Sequence, residues 1–414
     1  LKNIIMIDKK QIISVFILSL FVSFCYYFLI SNFIVYPTVA PMIHNGNIYQ
    51  FADWKVIVGA NLCEELGYDV YQNNPCDIWG RKHVYGEIFL HLPFVEKFKF
   101  FYFEIFPIII NYIFIVCILS IFRFKNSSAY IYTILILFSF PVMLAIERAN
   151  NDILIFILVV LLAYYKNQAL SLVILIVTTI SKFYPLVLVI KLFFEKNLKK
   201  IIINLSIFIS LISLIFFYES EQISKIFSNR AQYTSGGIYD FSLIGTMKFY
   251  KATYFFINNK FFSILIFLLF LLGPIIFLFR KIKLFLKETN YILDYNFFED
   301  RIFIFSSILI LVCYFSFQNY AYREIFFIGL IPWFLKMKIS YKKYDLYSLF
   351  FYLLMFKFLV SIPITYVYMS QRFKDINHIF IFFKYSLDLF LIIIITAIFF
   401  SFLTKHLNFL KQNI

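Results

Sequence analysis

Glu147-Arg148-Ala149-Asn150-Asn151-Asp152 crowds five polar side chains into six positions, at a point where two apolar runs meet. Ionisable groups at membrane depth cost several kcal/mol unless they are paired or functional. The same residues also suit an ordinary polar turn, with a Glu–Arg pair and asparagine helix caps. Ser181-Lys182-Phe183-Tyr184-Pro185 forms a second border of this kind. Lys182 breaks apolar sequence there, and Pro185 suits the first turn of a new helix. A cation at a helix start opposes the macrodipole, so an anion is expected nearby; a lysine snorkelling to the interface is the alternative. Asn319-Tyr320-Ala321-Tyr322-Arg323-Glu324 supplies a third border. Arg148, Lys182 and Arg323 thus arise in three separate turns, and converging positive charge suits a phosphate, with arginine forks and a lysine point charge. The carboxylates come from elsewhere: Asp53 in Phe51-Ala52-Asp53-Trp54, then Glu64, Glu65, Asp69, Asp77 and Glu87. A surface carboxylate is ordinarily only solvated; Asp53 is set apart by opening a segment with apolar spacing.

These residues need a frame, and composition says what kind. Of 414 residues, 62% are hydrophobic and 15% charged, with a mean hydropathy of +0.84, too little polar surface for a water-soluble fold. The bilayer is the expected solvent, spanned by helices because they satisfy their own backbone in hydrocarbon. Apolar runs at 12–36, 100–122, 128–146, 152–165, 168–181, 183–195, 201–218, 261–280, 302–318, 324–336, 346–368 and 381–404 predict about twelve transmembrane helices. Several middle runs are shorter than the roughly twenty residues a crossing needs. The expected fold is all-α and polytopic, a single integral membrane domain over 1–414. The run 12–36 is expected to stay as a signal anchor, since no small-residue cleavage site clearly follows it.

Basic residues stand in alternate loops: Lys9 and Lys10, Arg123 and Lys125, Lys166, Lys199 and Lys200, Lys281 and Lys283, Lys342 and Lys343, and Lys405. The positive-inside rule then places both termini in the cytoplasm, for a chain in the inner (plasma) membrane, and puts 37–99 and 219–260 outside as the two long loops. The first loop is expected to carry short interfacial helices, and a short amphipathic segment from Ile88 to Phe100 lying along the interface. The net charge of +15 does not mark a nucleic-acid binder, because the basic residues sit in short loop clusters. Cys63 and Cys76 share the first outer loop, as a disulfide or as two free thiols; Cys25, Cys117 and Cys313 are packing residues. A nucleotide-sugar enzyme would need a glycine-rich phosphate loop and a soluble domain, and neither is legible. No dense outer cluster of carboxylates calls for a divalent metal, and no cofactor is expected.

Taken together these residues resemble the polytopic GT-C glycosyltransferases, particularly glycosyltransferase family 87, which includes polyprenol-phosphate-mannose-dependent mannosyltransferases. Asp53-Trp54-Lys55-Val56-Ile57 and Gly67-Tyr68-Asp69-Val70-Tyr71 look similar to the start of that family's first outer loop, with Ile57 where tyrosine is usual. Tyr85-Gly86-Glu87 stands where members carry Tyr-Pro-Pro, without the prolines. Glu147 to Asp152 and Lys182-Phe183-Tyr184-Pro185 are the closest matches; Ser242-Leu243 and Tyr322-Arg323 with Phe326 are less specific. The resemblance implies a polyprenyl-phosphate sugar as donor, of mannose or another hexose or pentose. It also implies a lipid or glycan hydroxyl as acceptor, inversion at the anomeric carbon, and an Asp general base, which falls on Asp53. Lys182, Arg148 and Arg323 would bind the donor phosphate. Glu147, Asn150, Asn151, Asp152, Tyr184, Asp69, Tyr71, Tyr85, Glu87 and Tyr322 would line the substrates, in a monomer working among membrane lipids. A flippase or transporter of lipid-linked glycans, and an O-antigen polymerase or ligase, are the competing readings.

Overall fold

The computed structural model describes residues 13, 15–24, 43–44, 47–48, 50–77, 79–122, 127–195, 197–230, 241–243, 245–246, 295–316, 319–340, 345–369 and 374–412. The run 261–280, most of 12–36, the basic groups at Lys9, Lys10, Arg123, Lys125, Lys281, Lys283, Lys342 and Lys343, and most of the loop from 231 to 260 lie outside the described residues. The described chain is helical apart from a short antiparallel pair, β1 (Ile43–His44) and β2 (Asn47–Ile48), with Ile43 opposite Ile48. In chain order the helices are α1 (Val15–Phe24), α2 (Ala52–Glu65), α3 (Phe106–Ile121), α4 (Ser127–Leu137), α5 (Phe140–Arg148), α6 (Asn151–Tyr164), α7 (Gln168–Ser181), α8 (Leu198–Tyr218) and α9 (Ser220–Arg230). After them come α10 (Phe298–Phe315), α11 (Ile331–Ser340), α12 (Asp345–Met369) and α13 (Lys374–Gln412). Three 3-10 helices intervene, Glu87–Leu90, Tyr184–Phe194 and Ala321–Leu330, and a π turn, Phe101–Ile105, runs into α3.

Among the described residues three helices are long and apolar enough to cross a membrane, Phe101–Ile121, Leu198–Tyr218 and Lys384–Thr404. Ile131–Leu137 and Phe140–Arg148 make a fourth if their 52° bend is counted within one span. This corrects the expected twelve spans, and the reason is physical. The runs at 152–165 and 168–181 become helices of 14 residues, about 21 Å long against a hydrocarbon core of about 30 Å. Their apolarity reflects burial in protein as much as lipid. On α6, Ile153, Ile155, Phe156, Val159 and Leu162 are all fully enclosed, the mark of a helix inside a bundle. The long α8 is the opposite case: only Ile201, Phe208 and Ile212 are buried, and Ile202, Ile203, Ile207, Ile209 and Leu214 are exposed, an apolar face that lipid satisfies and water does not.

In the loop 37–99, the segment from Ile88 to Phe100 begins in the 3-10 turn at Glu87–Leu90, continues through further turns and enters a helix at Lys99. The loop's main helix is α2, buried along most of its length from Ala52 to Asn61. It docks on the start of the α3 span, where the Trp54 indole donates to the Tyr102 carbonyl at 2.8 Å and Lys55 pairs with Glu104 at 2.6 Å. Cys63 and Cys76 form a disulfide, which decides the alternative that spacing had left open. A crosslink closing a loop of this size is worth roughly 3 kcal/mol in the chain-entropy model. Around this loop the bundle brings helix ends together. α5 ends, α6 begins, α7 ends, and the 3-10 helices at Tyr184 and Ala321 begin, at one place next to the start of α2, as the contacts described below establish.

Candidate functional site

The site is built on two left-handed backbone positions. Phe51, at φ 58°, precedes α2 and donates its N–H to the Glu147 carbonyl at 2.9 Å, tying the start of α2 to the end of α5. Ala149, at φ 44°, closes α5 with its N–H on the Ala145 and Ile146 carbonyls. Such a conformation costs a non-glycine residue on the order of 1–3 kcal/mol and persists only where the surroundings impose it. The result is a reversal so tight that Asn150 already caps α6, its side-chain oxygen accepting from the Asp152 N–H at 2.9 Å.

That reversal delivers a connected polar network. The Asn150 amide donates to Asp53 Oδ2 at 2.7 Å, while Lys182 Nζ reaches Asn150 Oδ1 at 3.3 Å. Lys182 also meets Asp152 Oδ1 at 2.6 Å; the Tyr184 hydroxyl donates to the same oxygen at 2.7 Å, and Arg323 Nε reaches Asp152 Oδ2 at 3.3 Å. On the other side, Asp53 Oδ1 receives Arg81 at 3.1 Å and Arg148 at 3.6 Å. Tyr85 and Tyr322 close over the Lys182 ammonium, at 5.4 and 5.9 Å from their ring centres. Asp152 is wholly buried and Asp53 is 5% exposed. Burial works to raise the Asp53 carboxyl, but Arg148, Arg81 and the Asn150 amide outweigh it and hold the group below its ordinary range.

Asp53, Arg148, Asn150, Asp152, Lys182, Tyr184, Tyr85, Tyr322 and Arg323 are therefore assembled in one place. The anion expected beside Lys182 is Asp152. Lys182 itself is not at a helix start: it lies just past the end of α7 in extended conformation, one residue before the cap of the 3-10 helix. Glu147 and Asn151 are adjacent and buried, yet neither carboxylate oxygen of Glu147 and neither amide atom of Asn151 has a hydrogen-bond partner among the described residues. Asp69, Tyr71 and Glu87 are not in the network; they line a separate cleft with Glu64, Tyr68, Gln222 and Lys225.

Two features escaped sequence reasoning. Arg81 is the organiser of the 37–99 loop: it pairs with both oxygens of Asp77 at 3.0 Å, donates to the Ala52 carbonyl at 2.7 Å and to Asp53 at 3.1 Å, and covers the Trp79 ring at 4.5 Å. Its one sequence signal is the Asp77–Arg81 spacing of four. The second is a closed ring of buried charges on α12, α13 and the 3-10 helix at Ala321–Leu330. Lys357 on α12 joins Glu324 at 2.7 Å and Asp388 on α13, and Lys384 joins Glu324 at 2.9 Å and Asp388 at 3.3 Å. Each of the four is at most 5% exposed.

Chemically, the network offers a carboxylate held ionised at its edge and cations already engaged by carboxylates. Arg148 is the least engaged of them. Its contact to Asp53 is the longest of the set, and its Nε has no hydrogen-bond partner among the described residues. A guanidinium with donors to spare beside a nearly buried carboxylate can take up an oxyanion without first surrendering its own pair. Comparison with family models, with curated proteins and with solved structures found no match to this chain.

Proposed function

We propose that this is a membrane glycosyltransferase that moves a sugar from a polyprenyl-phosphate donor to a hydroxyl of a lipid or glycan acceptor, at the extracytoplasmic face. One observation carries the reading: Asp53, Arg148, Lys182 and Arg323, from four separate segments of the chain, meet within a single network joined through Asn150 and Asp152. The resemblance of the same residues to glycosyltransferase family 87 points the same way.

In the reaction the acceptor oxygen attacks the anomeric carbon while Asp53 takes its proton. The bond from that carbon to the phosphate oxygen breaks, its electron pair leaves with the lipid phosphate, and the configuration inverts. Arg148 receives the departing phosphate, with Lys182 and Arg323 behind it. In the resting site the arginines hold Asp53 in its weakly basic form. Phosphate bound to Arg148 draws that charge away from Asp53, so the carboxylate becomes a better base when the donor is seated.

Asp53→Asn keeps the shape and removes the base. In purified protein with a labelled polyprenyl-phosphate sugar, transfer is expected to fall by about 10²–10⁴-fold, measured below the variant's own melting temperature, which the loss of the Asp53–Arg148 pair lowers. Wild-type rates in that variant would remove Asp53 from the role. A flippase for lipid-linked glycans is the second reading, favoured by one observation, the buried Lys357–Glu324–Lys384–Asp388 ring, two of whose members stand on the Lys384–Thr404 span, since ionisable groups within membrane helices commonly mark transport paths. Lipid-linked glycan crossing proteoliposomes without any covalent product would favour it.

A further inference from the structure

The cleft that leaves Asp69, Tyr71 and Glu87 outside the network is a site in its own right. It is a half-open cleft of about 180 Å³, room for about six waters at ~30 Å³ each, the scale of one sugar ring. Glu64 comes from the end of α2, Tyr68 to Tyr71 from the turn that follows, Glu87 from the 3-10 turn, and Gln222 and Lys225 from α9. Three of its polar atoms are buried without a hydrogen-bond partner among the described residues: the Tyr71 hydroxyl, Glu87 Oε2 and Gln222 Oε1. Tyr71 is 5% exposed. Its hydroxyl lies among carboxylates, and burial, then Glu87, Glu219, Glu64 and Asp69, keep it protonated.

Buried polar atoms are normally satisfied by protein, water or ligand, and the three here set the terms. Two acceptors need a donor, and a phenol O–H needs an acceptor. An ammonium only donates, and an anion only accepts and would meet three carboxylates; a hydroxyl does both. Lys225 is already engaged by Asp69 at 2.9 Å and Glu221 at 2.7 Å. The half-exposed Tyr68 ring adds an apolar face. We propose that this cleft binds an uncharged sugar ring through its hydroxyls. That the ring belongs to the acceptor glycan, held beside its reacting end, rests on the transferase reading. The wall between the two sites is a run of ring contacts, Tyr71 to His83 at 5.3 Å and His83 to Tyr85 at 5.7 Å, with Tyr85 over Lys182.

The test is direct binding to the purified full chain in detergent by saturation-transfer NMR. Methyl mannoside and methyl glucoside serve as neutral probes, glucosamine as the cationic one and inorganic phosphate as the anionic one. A saturable signal from a neutral glycoside is expected, weakened about fivefold in Tyr71→Phe and again in Gln222→Leu, each checked for a wild-type melting profile. No signal from the neutral glycosides, a signal from glucosamine or phosphate alone, or undiminished binding in both variants would overturn the proposal. Binding without any transfer would uphold this site while removing the transferase reading. Transfer without glycoside binding would do the reverse.

Discussion

One amide at Asn150 caps α6, holds Asp53 and contacts Lys182, so the features that make the Glu147–Asp152 corner look like an ordinary capped turn also make it a site. The two descriptions are not rivals, because a short polar side chain at a tight reversal is what allows three helix ends to share a hydrogen-bond network. His83 plays a different part. It is fully buried between the Tyr71 and Tyr85 rings, and burial pushes its imidazole down to about 3 from an ordinary 6.5. The unfolded chain then takes the proton first as pH falls. The stability associated with His83 is fully present above the unfolded value and is lost as pH drops through the window from 6.5 toward 3, at up to about 1.4 kcal/mol per pH unit. His83→Leu should therefore flatten the decline in melting temperature between neutral and moderately acidic pH. An acid slope identical to wild type would contradict this account of His83.

At the scale of elements, the placement of the 37–99 loop against the bundle depends on close approaches. A Cβ on Gly86 would lie 2.0 Å from the Ile180 carbonyl oxygen, at the end of α7. This close approach requires glycine, since any other residue would bring a Cβ into that backbone atom. Gly86→Ala should force the 83–90 segment away from α7, at a cost of about 1–3 kcal/mol, and with it Tyr85 away from Lys182. Melting in detergent, read beside the same variant's rate of transfer, tests this; an unchanged melting temperature would mean that the two segments are not held in contact. That Asp53 in the 37–99 loop could face the border cations was legible in the sequence, and the structure brings it to Arg148 and Asn150. The internal order of the loop was not. Arg81 reads in sequence as one more solvated loop arginine, and its role appears only once the turn folds it back on Asp77, Ala52 and Asp53. The short helices α6 and α7 were read as spans because burial in protein and burial in lipid leave the same apolar signature on a sequence.

On the scale of the whole molecule, the described chain is a helical membrane protein with two polar centres. The first was visible in sequence because Arg148, Lys182 and Arg323 break apolar runs at their edges. The second was not, because Lys357, Lys384 and Asp388 are single charges dispersed through long apolar stretches, and only the packing of α12 on α13, with both lysines reaching across to Glu324 of the 3-10 helix, joins them. Breaking such a buried ring by removing one member leaves an uncompensated charge, which costs roughly 3–5 kcal/mol. Lys357→Met should accordingly lower thermal stability sharply, and pairing it with Glu324→Gln should recover much of the loss; a single variant as stable as wild type would show that the ring is not a structural unit. The central claim, that Asp53 and the three border cations surround one reacting bond, is tested most directly by a structure of the protein with a polyprenyl-phosphate sugar bound. The account predicts the lipid phosphate within hydrogen-bond distance of Arg148, at about 3 Å, and the sugar's anomeric carbon facing Asp53 on the side opposite the phosphate. A phosphate seated away from Arg148, Lys182 and Arg323, or a sugar turned away from Asp53, would contradict it.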